Sequence, residues 1–364
     1  MLRKQKTNAL LYETFRWLVV PVLLILGISL TRASEAQTQP GAQASEVNKF
    51  FQQYAGLNAE EVKSIHAGNP VAKVLKSPGE QVLVFGVVYI KAEPESYITF
   101  ASNIEETAKL PGYLAIRKFS DPPQLSDLDN FTLEPDDIKD LEKCKSDHCE
   151  VQLPAENMEE FQKSINWKAA NVADSVNHLA REMALRALQS YIQGGNSALG
   201  TYRDKKDPNA VSETFQSLLN RSKSLPVYMP DLHRYLLEYP TFKPTDIQSE
   251  FHWEKVKFGL KPTIRIIQRI IYKDAGTESY ALAEKQLYSS HYFQSALDIT
   301  AAVKDKSQPD DHGFYLITAK GSQQAGLTGL KGGIVRNVAT DKTRSSLEQG
   351  LKMIKQKLET GAAK

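Results

Sequence analysis

The spacing of apolar positions changes along this chain, and each change marks a stretch of different architecture. Val82 to Ile90 (Val-Leu-Val-Phe-Gly-Val-Val-Tyr-Ile) is apolar on both faces and rich in β-branched residues, which predicts a central buried strand. Glu93-Pro94 follows, with proline suited to a first helical turn. Tyr97, Ala101, Ile104 and Ala108 then recur at helical spacing until Pro111-Gly112 stops the pattern. Gly112 to Phe119 reads as a short strand, followed by a Pro/Asp-rich loop over Asp121 to Asp129 and one or two helical turns over Asp136 to Lys143.

From Pro154 to about Tyr239 the period lengthens to that of a helix. Val172, Val176, Leu179, Ala180, Met183, Ala187 and Tyr191 form one stripe, and Gly194-Gly195 ends it. A second helix is predicted over Asn209 to Leu219 and a short third after Pro230. Beyond residue 246 alternation returns. In Thr263 to Lys273, Ile264, Ile266, Ile270 and Tyr272 share one face while Arg265, Arg269 and Lys273 share the other. Ser279 to Tyr288, His291 to Val303 and Gly313 to Ala319 continue the series, with a turn over Gln308 to Asp311, so an antiparallel sheet is expected. A helix from about Asp341 to Glu359, striped by Leu347, Leu351, Ile354 and Leu358, closes the chain.

The first 36 residues have a different character. Arg3, Lys4, Lys6 and Arg16 precede an uncharged run from Trp17 to Leu30, and Ser34-Glu35-Ala36 is a small-x-small tripeptide suited to cleavage before Gln37. The run is short for a membrane span and is interrupted by Pro21 and Gly27, so it reads as an export signal. Cleavage would release the protein to the periplasm or the medium, whereas retention would anchor it in the inner membrane. Residues 37–79 read as a tether and a helical lead that includes Glu46 to Tyr54. The remaining divisions are 80–154, the first part of an α+β domain; 155–245, a helical insertion; and 246–364, the strands and helix that complete the domain.

Of 45 Lys/Arg and 43 Asp/Glu, five and two fall in the signal, leaving a mature balance of −1. That near-neutral mixture gives no nucleic-acid footprint and no polybasic membrane patch. The two cysteines, Cys144 and Cys149, enclose four residues; in an exported protein this spacing predicts a disulfide closing a hairpin loop. Zinc would need two ligands beyond the cysteines, of which His148 supplies at most one, and the gap departs from the two-residue spacing of thioredoxin-like redox pairs. No His-Glu-x-x-His spacing, no Gly-x-Ser-x-Gly elbow and no phosphate-binding glycine fingerprint is present, so no metal and no cofactor is expected. Asp136-Asp137 and Asp310-Asp311 read as solvated turn acids.

The order of strand, helix, strands, helical insertion, antiparallel strands and terminal helix resembles the helix-grip arrangement of START-like and Bet v 1-like proteins. The resemblance rests on Val82 to Ile90 running into Glu93-Pro94-Glu95-Ser96-Tyr97, and on Phe314 to Ala319 with the Asp341 to Glu359 helix. It leaves the insertion unexplained. Phe258-Gly259-Leu260-Lys261-Pro262 and Tyr288-Ser289-Ser290-His291-Tyr292-Phe293 are also similar in texture to uncharacterised exported bacterial proteins. The helix-grip likeness implies a curved antiparallel sheet wrapped on a long C-terminal helix, with a cavity between them for an apolar or lipid-like ligand.

Gln268, Tyr280, Glu284, Gln286, Tyr288 and His291 are the polar and aromatic candidates for lining such a cavity, if their strand faces point into one interior. The opposite face, with Ala281, Ala283 and Leu287, is equally able to point inward. Gly350, on the edge of the last helix's stripe, marks either close packing on a strand or space for a ligand. The glycine-rich stretch 326–334 reads as a connection whose Leu327, Leu330 and Ile334 are able to cover a cavity mouth or touch lipid. The leading expectation is a non-catalytic, exported ligand-binding protein. The alternatives are a cell-envelope interaction protein docking a partner through Tyr228, Tyr235 and Tyr239 of the insertion, and a hydrolase or cyclase-like enzyme using His291 and Glu284.

Overall fold

The structure is a computed structural model and describes residues 46–109, 112–258, 261–274, 279–304 and 313–361. The signal segment, the tether through residue 45, the turn over 308–311 and the Asp310-Asp311 pair lie outside the described residues.

The N-terminal lead holds more structure than a tether. Helix α1 (Glu46–Ala55) is followed by α2 (Ala59–His66), whose Asn58 cap accepts from the Glu61 N–H while Glu61 accepts from the Asn58 N–H, a reciprocal capping box. Strand β1 (Val71–Leu75) then forms a hairpin with β2 (Gln81–Ile90). The helix expected after Glu93-Pro94 divides at Asn103 into α3 (Pro94–Ser102) and α4 (Ile104–Ala108). Strand β3 (Tyr113–Lys118) and α5 (Pro135–Leu141) lead to the cysteine loop. Cys144 and Cys149 are joined by a disulfide across a Lys145–His148 bridge, with both cysteines buried.

The stretch 155–245 is predominantly helical: α6 (Ala155–Ser164), α7 (Val172–Gly194), a two-stranded ribbon of β4 (Thr201–Tyr202) and β5 (Asn209–Ala210), α8 (Val211–Leu219), α9 (Leu225–Tyr228) and α10 (Pro230–Glu238). The buried stripe of α7 runs through Val176, Leu179, Met183, Ala184, Leu188 and Tyr191; Ala187 faces solvent. The chain then returns to the sheet with β6 (Ile247–Phe258), β7 (Lys261–Asp274), β8 (Ser279–Ser289), β9 (Phe293–Val303) and β10 (Phe314–Gln324), and closes with α11 (Gly329–Glu359). The glycine-rich stretch is therefore not a loop throughout. Thr328 is the extended N-cap, and Gly332 lies so close to Leu327 and Gly326 that a Cβ there would stand 2.7 Å from the Leu327 carbonyl carbon, which fixes how the helix leaves β10.

Eight strands form one open antiparallel sheet in the order β1-β2-β10-β9-β8-β7-β6-β3. The fold is α+β, with a long C-terminal helix. Both faces of the sheet are covered, as the two-sided apolar pattern of β2 requires. On one face lie α1 and α2 over Phe85, Val87, Tyr315 and Ile317, then α8 and α10 over Ile270, Tyr272, Ala281, Ala283 and Ala301, then α7 near Ile264, Ile266 and Trp253. The other face carries α3 and α11 over Val84, Val88, Leu316, Ala302 and Leu282. We refer to these as the insertion face and the α11 face. At Gly86 the α11 face is packed solid: a Cβ there would meet Leu347 at 2.7 Å and Leu351 at 2.9 Å. No helix of the described residues is long and apolar enough to cross a membrane.

Candidate ligand site on the α11 face of the sheet

The α11 face changes chemistry row by row, because residues directly opposite in an antiparallel ladder share a face. One row, Val88, Leu316, Ala302 and Tyr280, is apolar apart from the tyrosine hydroxyl. The next, Thr318, Thr300, Leu282 and Ile271, brings in two threonines whose hydroxyls lie 3.1 Å apart. The third is charged on every strand: Lys320, Asp298, Glu284, Arg269 and Glu250 stand side by side from β10 to β6. Beyond it, Glu254 opposes Arg265.

Most of these charges are matched. Lys320 pairs with Asp298, and Lys118 with Glu250 at 2.5 Å. Arg265 Nε donates to Glu254 Oε1 at 2.7 Å, and its Nη2 donates to the same oxygen. Burial works against the Glu254 carboxylate, but the Arg265 guanidinium and the His252 ring at 3.4 Å outweigh it and hold the carboxyl down at about 2. Burial likewise opposes the Arg265 charge, and Glu254 more than compensates, raising its pKa.

Arg269 differs. Its side chain is 2% exposed, its Nε lies 3.7 Å from Glu284 Oε1, beyond hydrogen-bond range, and neither Nε nor Nη1 has a hydrogen-bond partner. His252 Nδ1, also buried, has none either. Buried donors are nearly always satisfied, so two unbonded nitrogens on one buried guanidinium mark a place where an acceptor belongs. Two phenols border the row. Tyr97 descends from α3, and burial raises its pKa while its hydroxyl meets Thr300. Tyr113, at the start of β3, is raised by burial and then by the nearby Glu254 and Glu284 carboxylates. Both stay protonated and remain donors.

No protein-family model matches the chain, and no curated protein is similar to it. Among the described residues no group of three or more His, Cys, Asp or Glu side chains is placed to hold a metal ion.

The sequence candidates do not gather in one interior. Glu284 and Tyr280 lie on the α11 face, where the Tyr280 hydroxyl donates to Glu95 of α3. Gln286 is on the same face opposite Ile267 and donates to the Phe293 carbonyl at 3.1 Å. An irregularity between Ile266 and Ile267 leaves Leu287 without a partner on β7 and turns Tyr288 to the insertion face, opposite Ile266. Gln268 is also on the insertion face: Tyr191 Oη donates to its Oε1 at 2.6 Å. Tyr191 in turn accepts from the fully buried Lys285 at 2.8 Å, and burial alone drives the pKa of that lysine well down.

His291 is buried against the cysteine loop, with Nδ1 3.1 Å from the Glu150 carbonyl and Nε2 3.1 Å from Asp137 Oδ2. Burial raises the Asp137 carboxyl, but His291 and Lys261 outweigh it and the pKa falls. His291 and Glu284 share no partner. Gly350 has open space around it, whereas Gly86 of β2 is close-packed against α11. Tyr235 is buried in the core, and Tyr239 stacks on Tyr191 at 5.2 Å, so of the three tyrosines assigned to partner docking only Tyr228 is exposed. The residues missed are Arg269, Arg265, Glu254 and Asp298. Their signal was one charged position per strand, which becomes legible only after the register is known.

Proposed function

We propose that this chain is an exported, non-catalytic binding protein that holds a lipid-like ligand against the α11 face of its sheet. The ligand's uncharged, acceptor-rich head group, such as an ester or amide carbonyl, sits at Arg269. The observation that carries this reading is the pair of buried Arg269 nitrogens without acceptors. The formal charges of the row are balanced, with Lys320, Arg265, Lys118 and Arg269 set against Asp298, Glu254, Glu250 and Glu284. What the site lacks is therefore an acceptor rather than a charge, and a neutral carbonyl supplies one without disturbing that balance. The Leu282, Ile271 and Tyr97 side chains next to the row make its surroundings apolar, as the rest of a lipid-like molecule requires. The disulfide supports an oxidising compartment.

The test is native mass spectrometry of protein expressed with its signal and purified from the periplasm, with solvent extraction of the bound fraction. A defined lipid adduct that disappears in Arg269→Met is expected. A clean apo mass, unchanged after incubation with mixed envelope lipids, would refute the reading.

A further inference from the structure

At the β1–β2 edge the insertion face carries an open cleft of about 830 Å³, within the range of small-molecule sites. Its floor includes Leu75 and Leu83, paired partners in the edge hairpin. One wall is the end of α1, where Gly56, at φ +60°, turns the chain and leaves the rim without a side chain. The other wall is the last turn of α8 and the segment after it, contributing Gln216, Asn220, Arg221 and Lys223. Lys76 stands at the end of β1, and the Tyr54 ring borders the space from α1.

Three cations thus face the cleft against one carboxylate, Glu213. Along the rest of the surface, cations are commonly paired: Lys49, Lys139, Lys163, Arg186 and Arg234 all sit on carboxylates. Among the described residues, Lys76, Arg221, Lys223 and Glu213 make no ion pair, and the Gln216 and Asn220 amides make no side-chain hydrogen bond. The negative end of α8 explains why Arg221 and Lys223 are favourable where they are. It does not explain Lys76, which comes from the sheet.

We infer that this cleft binds an acidic oligosaccharide. The cations take its carboxylates, the two amides take its hydroxyls as donors and acceptors, and Tyr54 offers a flat apolar face to a sugar ring. This site lies on the opposite face of the sheet from Arg269, so it stands independently of the lipid reading.

Trigalacturonate is the probe, titrated calorimetrically into the mature protein at low and at physiological salt. Galactotriose of equal length serves as the neutral control and tripolyphosphate as the bare-charge control. Saturable binding of trigalacturonate alone is expected, weakened about fivefold by each of Lys76→Gln, Arg221→Gln and Lys223→Gln, as for exposed charge contacts. Tyr54→Ala is expected to weaken it too, and Arg269→Met to leave it unchanged. Circular dichroism checks that each variant is folded. No binding of trigalacturonate, equal binding by the triple Gln variant, or equally tight binding of tripolyphosphate would each overturn the inference.

Discussion

Replacing Arg269 by methionine separates a ligand-binding role from a structural one by the sign of its effect on stability. A guanidinium that holds the fold together leaves its partners stranded when removed, and breaking such a buried pair costs about 3–5 kcal/mol. Arg269 has no hydrogen-bonded partner to strand. Its one ionic neighbour, Glu284, is 3.7 Å away and 28% exposed, so water reaches that carboxylate once the arginine is gone. The present cost is two buried donors without acceptors, each worth about 1–3 kcal/mol. Methionine fills much of the same volume without that cost. The ligand-free variant is therefore expected to be more stable than the ligand-free wild type by about 2 kcal/mol. Urea denaturation of delipidated protein, with the m-value unchanged, reads this directly. With lipid present the order is expected to reverse, because only the wild type gains binding energy. A variant that loses 2 kcal/mol or more without ligand would show Arg269 to be a structural residue and refute the reasoning.

Gly86→Ala drives a methyl group into Leu347 and Leu351 and is expected to cost about 1–3 kcal/mol in the same denaturation assay, an overpacking penalty that Gly350→Ala does not incur. Glu254, held at about 2 in the fold, contributes stability that is complete above its ordinary value near 4.5 and is lost as pH falls through about 2. The contribution is of order 3 kcal/mol, so Glu254→Gln should be destabilised at neutral pH and converge on the wild type in acid unfolding curves. Opening the Cys144–Cys149 loop with paired serines should cost about 2 kcal/mol, measured as a fall in the urea midpoint, since the loop closed is short.

The sequence pattern was most informative where one chemistry ran uninterrupted along an element. β2, apolar on both faces, and α7, with its long stripe, declare themselves because tertiary burial repeats the local pattern. β6 escapes the same reasoning: its α11-face positions are Glu250, His252 and Glu254, so a buried strand reads as a polar segment. The start of α11 was hidden by Gly329, Gly332 and Gly333, whose low helix propensity suggests a loop; the close contact of Gly332 with Leu327 overrides it. Tyr288 fails for a geometric reason, since one extra residue at Leu287 moves it to the other face, and nothing local announces that irregularity. The charged row depends on register across five strands. No window along a single strand contains it.

The strand order also fixes when this protein is able to fold. The β1–β2 hairpin is made early in the chain, but its inner neighbour is β10, so Ile90 finds its partner only when Phe314 has arrived. The cover for that hairpin's α11 face arrives later still, with α11 itself. A chain that appears N-terminus first must therefore keep the two-sided apolar strand Val82–Ile90 from aggregating until β10 and α11 have followed it. Loss of the C-terminal helix is thus a defect in assembly from the outset, not the trimming of an appendage.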